Sequence, residues 1–247
     1  MVIIPTYNEK DNIASLIPAI LGIDPCLHIL IVDDASPDGT AQAVMEWKNR
    51  PEGFRVHLVS REQKMGLGSA YVCGFRWGLE AGHDFLIQMD ADWSHNPEDL
   101  RTILQLAQKA DFVVGSRYLP GGGTANWRLA RKMLSRCGSF YARCVLRCDF
   151  ADFTGGFNGW WAQTLKGIGL EELRSDGYGF QIEMKYRAHR RGYTYIEFPI
   201  VFTERRAGKS KMSLAIILEA CWRVWKFRYD FGRAPRPPAA KSGGDSR

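Results

Sequence analysis

The stretch Phe85-Leu86-Ile87-Gln88-Met89-Asp90-Ala91-Asp92 decides how this chain is read. A mostly apolar run of strand length ends in two carboxylates one residue apart. Alternate residues of an extended chain point to the same side, so the acids at 90 and 92 can share one hard divalent cation, Mg2+ or Mn2+, or divide a cation and a hydroxyl between them. An isolated Asp-x-Asp is more often a pair of solvated turn acids, and its weight depends on what surrounds it.

Outward from that run, strand-like segments at 2–5, 28–33, 54–60, 85–89 and 112–115 alternate with segments of helical period at 11–21, 40–48, 68–80 and 97–108. This predicts an α/β fold with an open, mostly parallel sheet, in which connections are right-handed and ligands settle at the carboxyl ends of the strands. After 115 the pattern changes. A Gly-rich turn at 121–123 leads to a long basic amphipathic segment at 127–147, a second Gly-rich stretch at 154–159, a helix around 180–190, a β-run at 193–202 and an aromatic, basic helix at 213–231. The expected division is a main domain over 1–211, a C-terminal amphipathic interfacial helix over 212–232, and a Pro/Ala/Gly/Ser-rich tail over 233–247 whose composition predicts disorder.

With 247 residues, 45% of them hydrophobic and 12% aromatic, the chain has enough apolar material for a packed core. The net charge of +6 conceals a division, for residues 1–120 carry −6 and residues 121–247 carry +12. The second half therefore seeks anions, although charge alone does not choose among nucleic acid, lipid and phosphorylated ligands. No apolar run reaches the ~20 residues that a membrane-spanning helix needs. The apolar run at 13–23 follows Glu9, Lys10 and Asp11 and contains Pro18 and Gly22, as a first helix would and a signal peptide would not. Six cysteines form no CxxC and have no histidine at zinc-finger spacing, so reduced structural thiols are expected.

The first strand runs into Pro5-Thr6-Tyr7-Asn8-Glu9, where a dinucleotide-binding protein would place GxGxxG. The nearest Gly-rich segment, Gly66-Leu67-Gly68-Ser69-Ala70-Tyr71, follows the third strand and lacks the last glycine. The second strand ends Asp33-Asp34-Ala35-Ser36-Pro37-Asp38-Gly39-Thr40. Asp38 suits a helix cap, whereas Asp34, leaving the strand tip, is placed to accept hydrogen bonds from a nucleobase.

Together, PTYNE at 5–9, DDASPDGT at 33–40, GLGSA at 66–70, MDADWSHNPED at 89–99, GSRY at 115–118, DFTGGF at 152–157, GYGFQIE at 177–183 and FTERRAGKSKM at 202–212 resemble, in order and spacing, the dolichyl-phosphate or polyprenyl-phosphate mannose synthases. These are inverting GT-A glycosyltransferases of family 2, and the resemblance covers roughly residues 2–230. It implies that Pro5, Tyr7, Glu9, Val32 and Asp34 line a guanosine pocket, and that Asp90, Ala91 and Asp92 hold the metal and diphosphate. Arg117, Arg205 and Lys211 would meet phosphates, with Asp92, Arg117 and Arg205 as the catalytic set, and Arg131 and Ser135 would receive the acceptor's phosphate. One departure stands out: some relatives supply a further metal ligand, Gln, at the position of Ser94.

The chemistry fits that resemblance. A departing nucleoside diphosphate needs its growing charge neutralised, which a divalent cation with Arg and Lys can do. A phosphate monoester has a second pKa of about 6, so a lipid monophosphate is a dianionic nucleophile at neutral pH without a strong general base. The implied partners are GDP-mannose, a polyprenyl or dolichyl phosphate and a membrane surface, with small membrane subunits allowed and nucleic acid not expected. The implied location is the cytoplasmic face of a membrane, held peripherally. Trp127, Leu134, Tyr141 and Val145 interleaved with Arg128, Arg131, Lys132, Arg136, Arg143 and Arg147, and Trp222, Trp225, Phe227 and Tyr229 beside Arg223, Lys226 and Arg228, are the expected interfacial faces. Two alternatives stay open on the residues alone: a polyprenyl-phosphate glucose synthase using UDP-glucose, and a non-catalytic membrane- or nucleic-acid-binding module.

Overall fold

The computed structural model describes residues 1–127, 129–173, 175, 177–204 and 214–232. Arg205, Lys211 and the tail from 233 lie outside the described residues. Strands β1 (Val2–Thr6), β2 (Ile29–Asp33), β3 (Val56–Ser60), β4 (Phe85–Gln88) and β5 (Phe112–Ser116) alternate with helices α1 (Lys10–Leu21), α2 (Thr40–Lys48), α3 (Leu67–Glu80) and α4 (Asp99–Ala107). Then come β6 (Gly123–Ala125), α5 (Leu129–Leu146), β7 (Asn158–Trp161), α6 (Ala162–Ile168), α7 (Gly177–Arg190), β8 (Tyr195–Pro199), β9 (Val201–Thr203) and α8 (Leu214–Gly232).

Seven strands form one sheet in the order β3-β2-β1-β4-β7-β5-β8, all parallel where they pair except β7, which runs antiparallel to both β4 and β5. Its near-continuous apolar strands follow from burial on both faces. Val2, Ile4, Ile29 and Ile31 face one core cluster with α1, α2 and α4, while Ile3, Leu30 and Val32 face the other with α3, α5, α6, α7 and α8. Glycine sets the spacing at two places. A Cβ at Gly74 of α3 would overlap the Ile3 side chain, and one at Gly159 of β7 would overlap the Phe85 ring.

Three features depart from the expectations. The Gly-rich stretch at 154–159 feeds a strand, β7, which is only four residues long and carries a glycine, so no alternation announces it. The β-run at 193–202 divides at Ile200: β8 completes the main sheet and β9 pairs with β6 in a separate two-stranded ribbon. The exposed faces of α5 and α8 also differ from those expected. Val145 is buried and Tyr141 is half-buried, its hydroxyl donating to the Cys221 carbonyl at 3.1 Å, so they join α5 to α8 instead of facing outward. The apolar residues that α5 exposes are Leu129, Met133 and Phe140. On α8, Phe227 and Val224 enter the core, leaving Trp222, Trp225 and Tyr229 outside. No helix among the described residues is long and apolar enough to cross a membrane.

At the amino end of the sheet, His28, His57 and His83 converge. The His28 and His57 rings are nearly parallel, joined Nδ1 to Nε2 at 3.1 Å, and His83 lies 5.1 Å from His28 between ring centroids. Burial, then neighbouring positive charge, lowers the pKa of all three, that of His83 to about 4. A base held neutral in the fold but protonated near its ordinary value of 6.5 when unfolded contributes stability above that value and loses it as the pH falls toward the folded value. Urea denaturation should therefore give a midpoint that declines between pH 7 and pH 5, with a shallower decline in His83→Gln.

Candidate active site

The loops at the carboxyl tips of β1 and β2 cap each other. Thr6 Oγ1 donates to Asp33 Oδ1 at 2.8 Å, and Asp33 also accepts from Ser36 N at 3.0 Å and Ser36 Oγ at 2.6 Å. The N–H groups that open α1 are met by side chains of the 36–40 segment: Asn8 N by Ser36 Oγ, Glu9 N by Thr40 Oγ1 and Lys10 N by Asp38 Oδ2. Asp38 Oδ1 also accepts from Thr40 N at 2.9 Å, so this acid starts two helices at once. The turn chemistry of 33–40 thus makes a rigid rim.

Tyr7 stands on that rim, 39% exposed, with Lys64 Nζ 4.0 Å from its ring centroid. Asp34 is 5% exposed and receives Arg61 Nε at 2.6 Å. Arg61 in turn donates to Ser69 Oγ and, at 3.4 Å, to Gly66 O, tying the tip of β2 to the start of α3. The reading of the sequence missed Arg61, since a single arginine after a strand carries no signal of its own. Val32 is a correction of kind: its side chain is wholly in the core, so only its backbone can face a ligand at the tip.

At the tip of β4, Asp90 accepts from Tyr71 Oη at 3.3 Å, and its N–H donates to His95 Nδ1 at 3.2 Å. That bond places the proton of a neutral His95 on Nε2. Burial first, then the charges and hydrogen bond of the acids, pushes the Tyr71 hydroxyl well above its ordinary pKa. Asp92 is 7% exposed and accepts from Ser94 N at 3.1 Å. The buried Ser94 Oγ finds no partner among the described residues. Among the described residues no three His, Cys, Asp or Glu converge as a complete metal cage. Two carboxylates and an unpartnered hydroxyl suit a hard cation that completes its shell with water or phosphate oxygens.

The chain leaves all three tips through left-handed residues other than glycine: Asn8 at φ 62°, Ala35 at φ 53° and Trp93 at φ 60°, each directly after Tyr7, Asp34 and Asp92. Such conformations cost roughly 1–3 kcal/mol each and cluster at functional sites.

A basic cluster faces the acids from the tip of β5. Arg117 is 6% exposed and gives Nε and Nη2 to the two oxygens of Asp152 at 2.6 and 2.8 Å, with Nη2 also 2.7 Å from Thr154 Oγ1. The guanidinium expected to meet a phosphate directly is thus held edge-on by a fully buried carboxylate. Burial alone would raise the Asp152 pKa, but Arg117 and its hydrogen bonds bring it down to about 2. Around Arg117 stand the rings of Tyr118, Trp127 and Phe202, 5.3 to 5.7 Å from its carbon. Tyr118 Oη donates to Ser135 Oγ at 2.6 Å, and Arg131 stacks on Trp127 at 4.0 Å while pairing with Glu204 at 3.2 Å. Arg131, Ser135 and Arg117, 18 residues apart at most in sequence, therefore gather around two aromatic rings.

Phe202 of β9 joins the two clusters. Its ring lies 5.2 Å from His95 and 5.5 Å from Trp127, and the next residue, Thr203, donates its N–H to Ser94 O at 3.0 Å. A chain of rings, His95, Phe202 and Trp127, thus runs from the acid pair apt for a cation to the arginines apt for an anion. Arg205 and Lys211 follow β9 in sequence but lie outside the described residues.

Three comparisons place this geometry among known proteins. The sequence profile of Glycosyl transferase family 2 matches residues 1–167. An undecaprenyl-phosphate mannosyltransferase of Micrococcus luteus is 44% identical over 229 residues, covering 92% of this chain and 93% of its own. A polyprenol monophosphomannose synthase of Mycolicibacterium smegmatis is 43% identical over 237 residues, covering 95% and 89%. Among solved structures, a mannosyltransferase of Pyrobaculum calidifontis in complex with GDP-Man and Mn2+ superposes with a TM-score of 0.63 at 21% identity, over 96% of this chain and 65% of that one. The glucosyl-3-phosphoglycerate synthase of Mycobacterium tuberculosis, in complex with Mn2+, UDP and its product, gives 0.61 at 16%, over 96% and 80%. At these identities the structures speak for the fold, which is the GT-A architecture.

Removing the carboxylate of Asp152 leaves Arg117 and its surroundings with an uncompensated buried charge. Asp152→Asn should lose about 3–5 kcal/mol of stability, measured by chemical denaturation at neutral pH.

Proposed function

The chain belongs to glycosyltransferase family 2, and we propose that it transfers mannose from GDP-mannose to a polyprenyl monophosphate with inversion, giving polyprenyl β-mannosyl phosphate and GDP. The observation that carries this reading is the run of aromatic contacts, His95 to Phe202 to Trp127, that links the Asp90/Asp92 tip to the Arg117/Arg131 cluster, in a chain 43–44% identical to lipid-phosphate mannosyltransferases over nearly its whole length.

In this reading Pro5, Tyr7, Glu9, the backbone of Val32 and Asp34 receive the guanosine, with Arg61 fixing the Asp34 carboxylate. Asp90 and Asp92, aided by Ala91's backbone and the Ser94 hydroxyl, hold a divalent cation, either Mg2+ or Mn2+, against the diphosphate. The cation, when bound, neutralises charge on the departing GDP. Arg131 and the Ser135 hydroxyl bind the acceptor phosphate beside Arg117, whose guanidinium is immobilised by Asp152. One acceptor oxygen forms a bond to the mannose C1 as the bond from C1 to the diphosphate breaks on the opposite face, so the α linkage becomes β. With a phosphate second pKa of about 6, that oxygen carries its charge already at neutral pH, and no side chain has to take a proton from it. Arg205 and Lys211 are assigned to the diphosphate side by their place in the family's motif.

The lipid is met at a membrane surface. The outer side of α5 carries Leu129, Met133 and Phe140 among Arg136 and Arg143, with Arg147 just beyond its end, and that of α8 carries Trp222, Trp225 and Tyr229 with Lys226, all exposed. Aromatic and basic residues mixed on one helix face suit the headgroup layer of an anionic bilayer. This favours peripheral attachment with the active site facing the membrane surface.

Two measurements test these assignments. With radiolabelled GDP-mannose, Mn2+ and a short polyprenyl phosphate, Asp92→Ala should lose at least about 100-fold in transfer and bind Mn2+ more weakly by electron paramagnetic resonance. UDP-glucose should fail to replace the donor. In flotation with anionic liposomes, Trp222→Ser/Trp225→Ser should shift protein to the unbound fraction, whereas an unchanged distribution would remove α8 from the membrane contact.

A further inference from the structure

Glu204 has no place in the reaction as described, since a dianionic phosphate needs no base, yet its carboxylate sits on Arg131 with Oε1 3.2 Å from Nη1. The guanidinium is thereby engaged twice, its face on the Trp127 ring at 4.0 Å and one edge on Glu204. The two side chains are 28% and 41% exposed, and an ion pair so open to water is weak. The main chain beneath is anchored. Glu204 N–H donates to Ala125 O at 3.2 Å, closing β9 against β6, and Thr203 N–H reaches Ser94 O at 3.0 Å, two residues from Asp92. A weak ion pair on a fixed backbone is easily exchanged: the acid takes, with one negative charge, the edge of Arg131 to which a phosphate monoester brings two.

We infer that Glu204 is a displaceable counter-ion that sets a threshold for acceptor binding: a phosphate monoester dianion clears it by expelling Glu204 from Arg131, and a singly charged phosphodiester gains too little there to occupy the site. The inference rests on the reading of Arg131 as an acceptor-phosphate residue. Its physical basis is charge number. A diester exchanged for Glu204 replaces one negative charge by one and gains little, whereas a monoester brings a second charge to Arg131. An enzyme working against a bilayer of phosphodiester headgroups thereby keeps its acceptor site open for the scarce lipid that ends in a monoester. Ser135, joined to Tyr118 at 2.6 Å, stands ready to donate to the incoming phosphate.

Glu204→Gln tests this, because the amide keeps the shape and loses the charge. With the full chain, GDP-mannose and Mn2+, the KM for a short, soluble isoprenyl phosphate should fall about fivefold, the scale of a surface ion pair, and KM should change more than kcat. Inhibition by a short-chain phosphatidylglycerol, a diester, should strengthen by a similar factor. Arg131→Ala should raise the acceptor KM and abolish the gain from Glu204→Gln in the double variant. If Arg131→Ala raises KM while Glu204→Gln leaves it unchanged or raises it, the inference is overturned and the acceptor reading stands. If Arg131→Ala does not move the acceptor KM, the acceptor reading falls and takes the inference with it.

Discussion

A guanidinium and a carboxylate almost wholly removed from water, Arg117 and Asp152, are the contact on which the site depends. They do not stand alone. Lys185 of α7, itself fully buried, donates to the carbonyls of Asp152 at 2.8 Å and Gly155 at 2.9 Å, while Glu197 of β8 accepts from Ala151 N at 2.7 Å and Asp152 N at 3.1 Å. Burial lowers the Lys185 pKa to about 8, which leaves it cationic at neutral pH. Two cations and two anions thus balance inside the protein, and losing one member would strand the others. The loop they grip leads into β7, which lies between β4 and β5. The position of that loop therefore sets the distance between the acidic tip and the basic cluster.

This arrangement explains why the antiparallel strand matters to function. In a purely parallel sheet β4 and β5 would be neighbours, and Asp90 and Arg117 would leave adjacent tips. Inserting β7 spreads them, and the ribbon of β6 and β9 covers the gap with Phe202. Gly159 permits the insertion by leaving room for the Phe85 ring. Gln88, Asn158 and Gln181 then join α7 to this strand through buried amide hydrogen bonds of 3.0 and 3.1 Å. Beyond the acid pair the chain turns away through the left-handed Trp93.

Helix α5 carries both the proposed acceptor residues and an exposed apolar face. Arg131 and Ser135 lie near its start, on the side of Tyr118 and Trp127, whereas Leu129, Met133 and Phe140 lie exposed. In the proposed function, a lipid whose chains shared the layer of the apolar residues would present its phosphate at the depth of the arginines. Core packing against α8 through Tyr141 and Val145 fixes the helix, so the two proposed contacts would move as one body.

The sequence alone determined the alternating strands and helices of the first half, because both-face burial writes apolar runs and helix periods directly into composition. It also placed Tyr7, Asp34, Asp90 and Asp92 at strand tips, since the tip follows from where the apolar run ends. The partners of those residues were not legible. Arg61 meets Asp34, Asp152 meets Arg117, and Glu204 meets Arg131 across 27, 35 and 73 residues, separations over which no periodicity carries information. The exposed faces of α5 and α8 were decided by which side found the other helix, and two comparably apolar sides left the periodicity undecided. Tertiary structure also decided that β7 enters the sheet, because a four-residue strand with a glycine gains its stability from neighbours and not from its own residues.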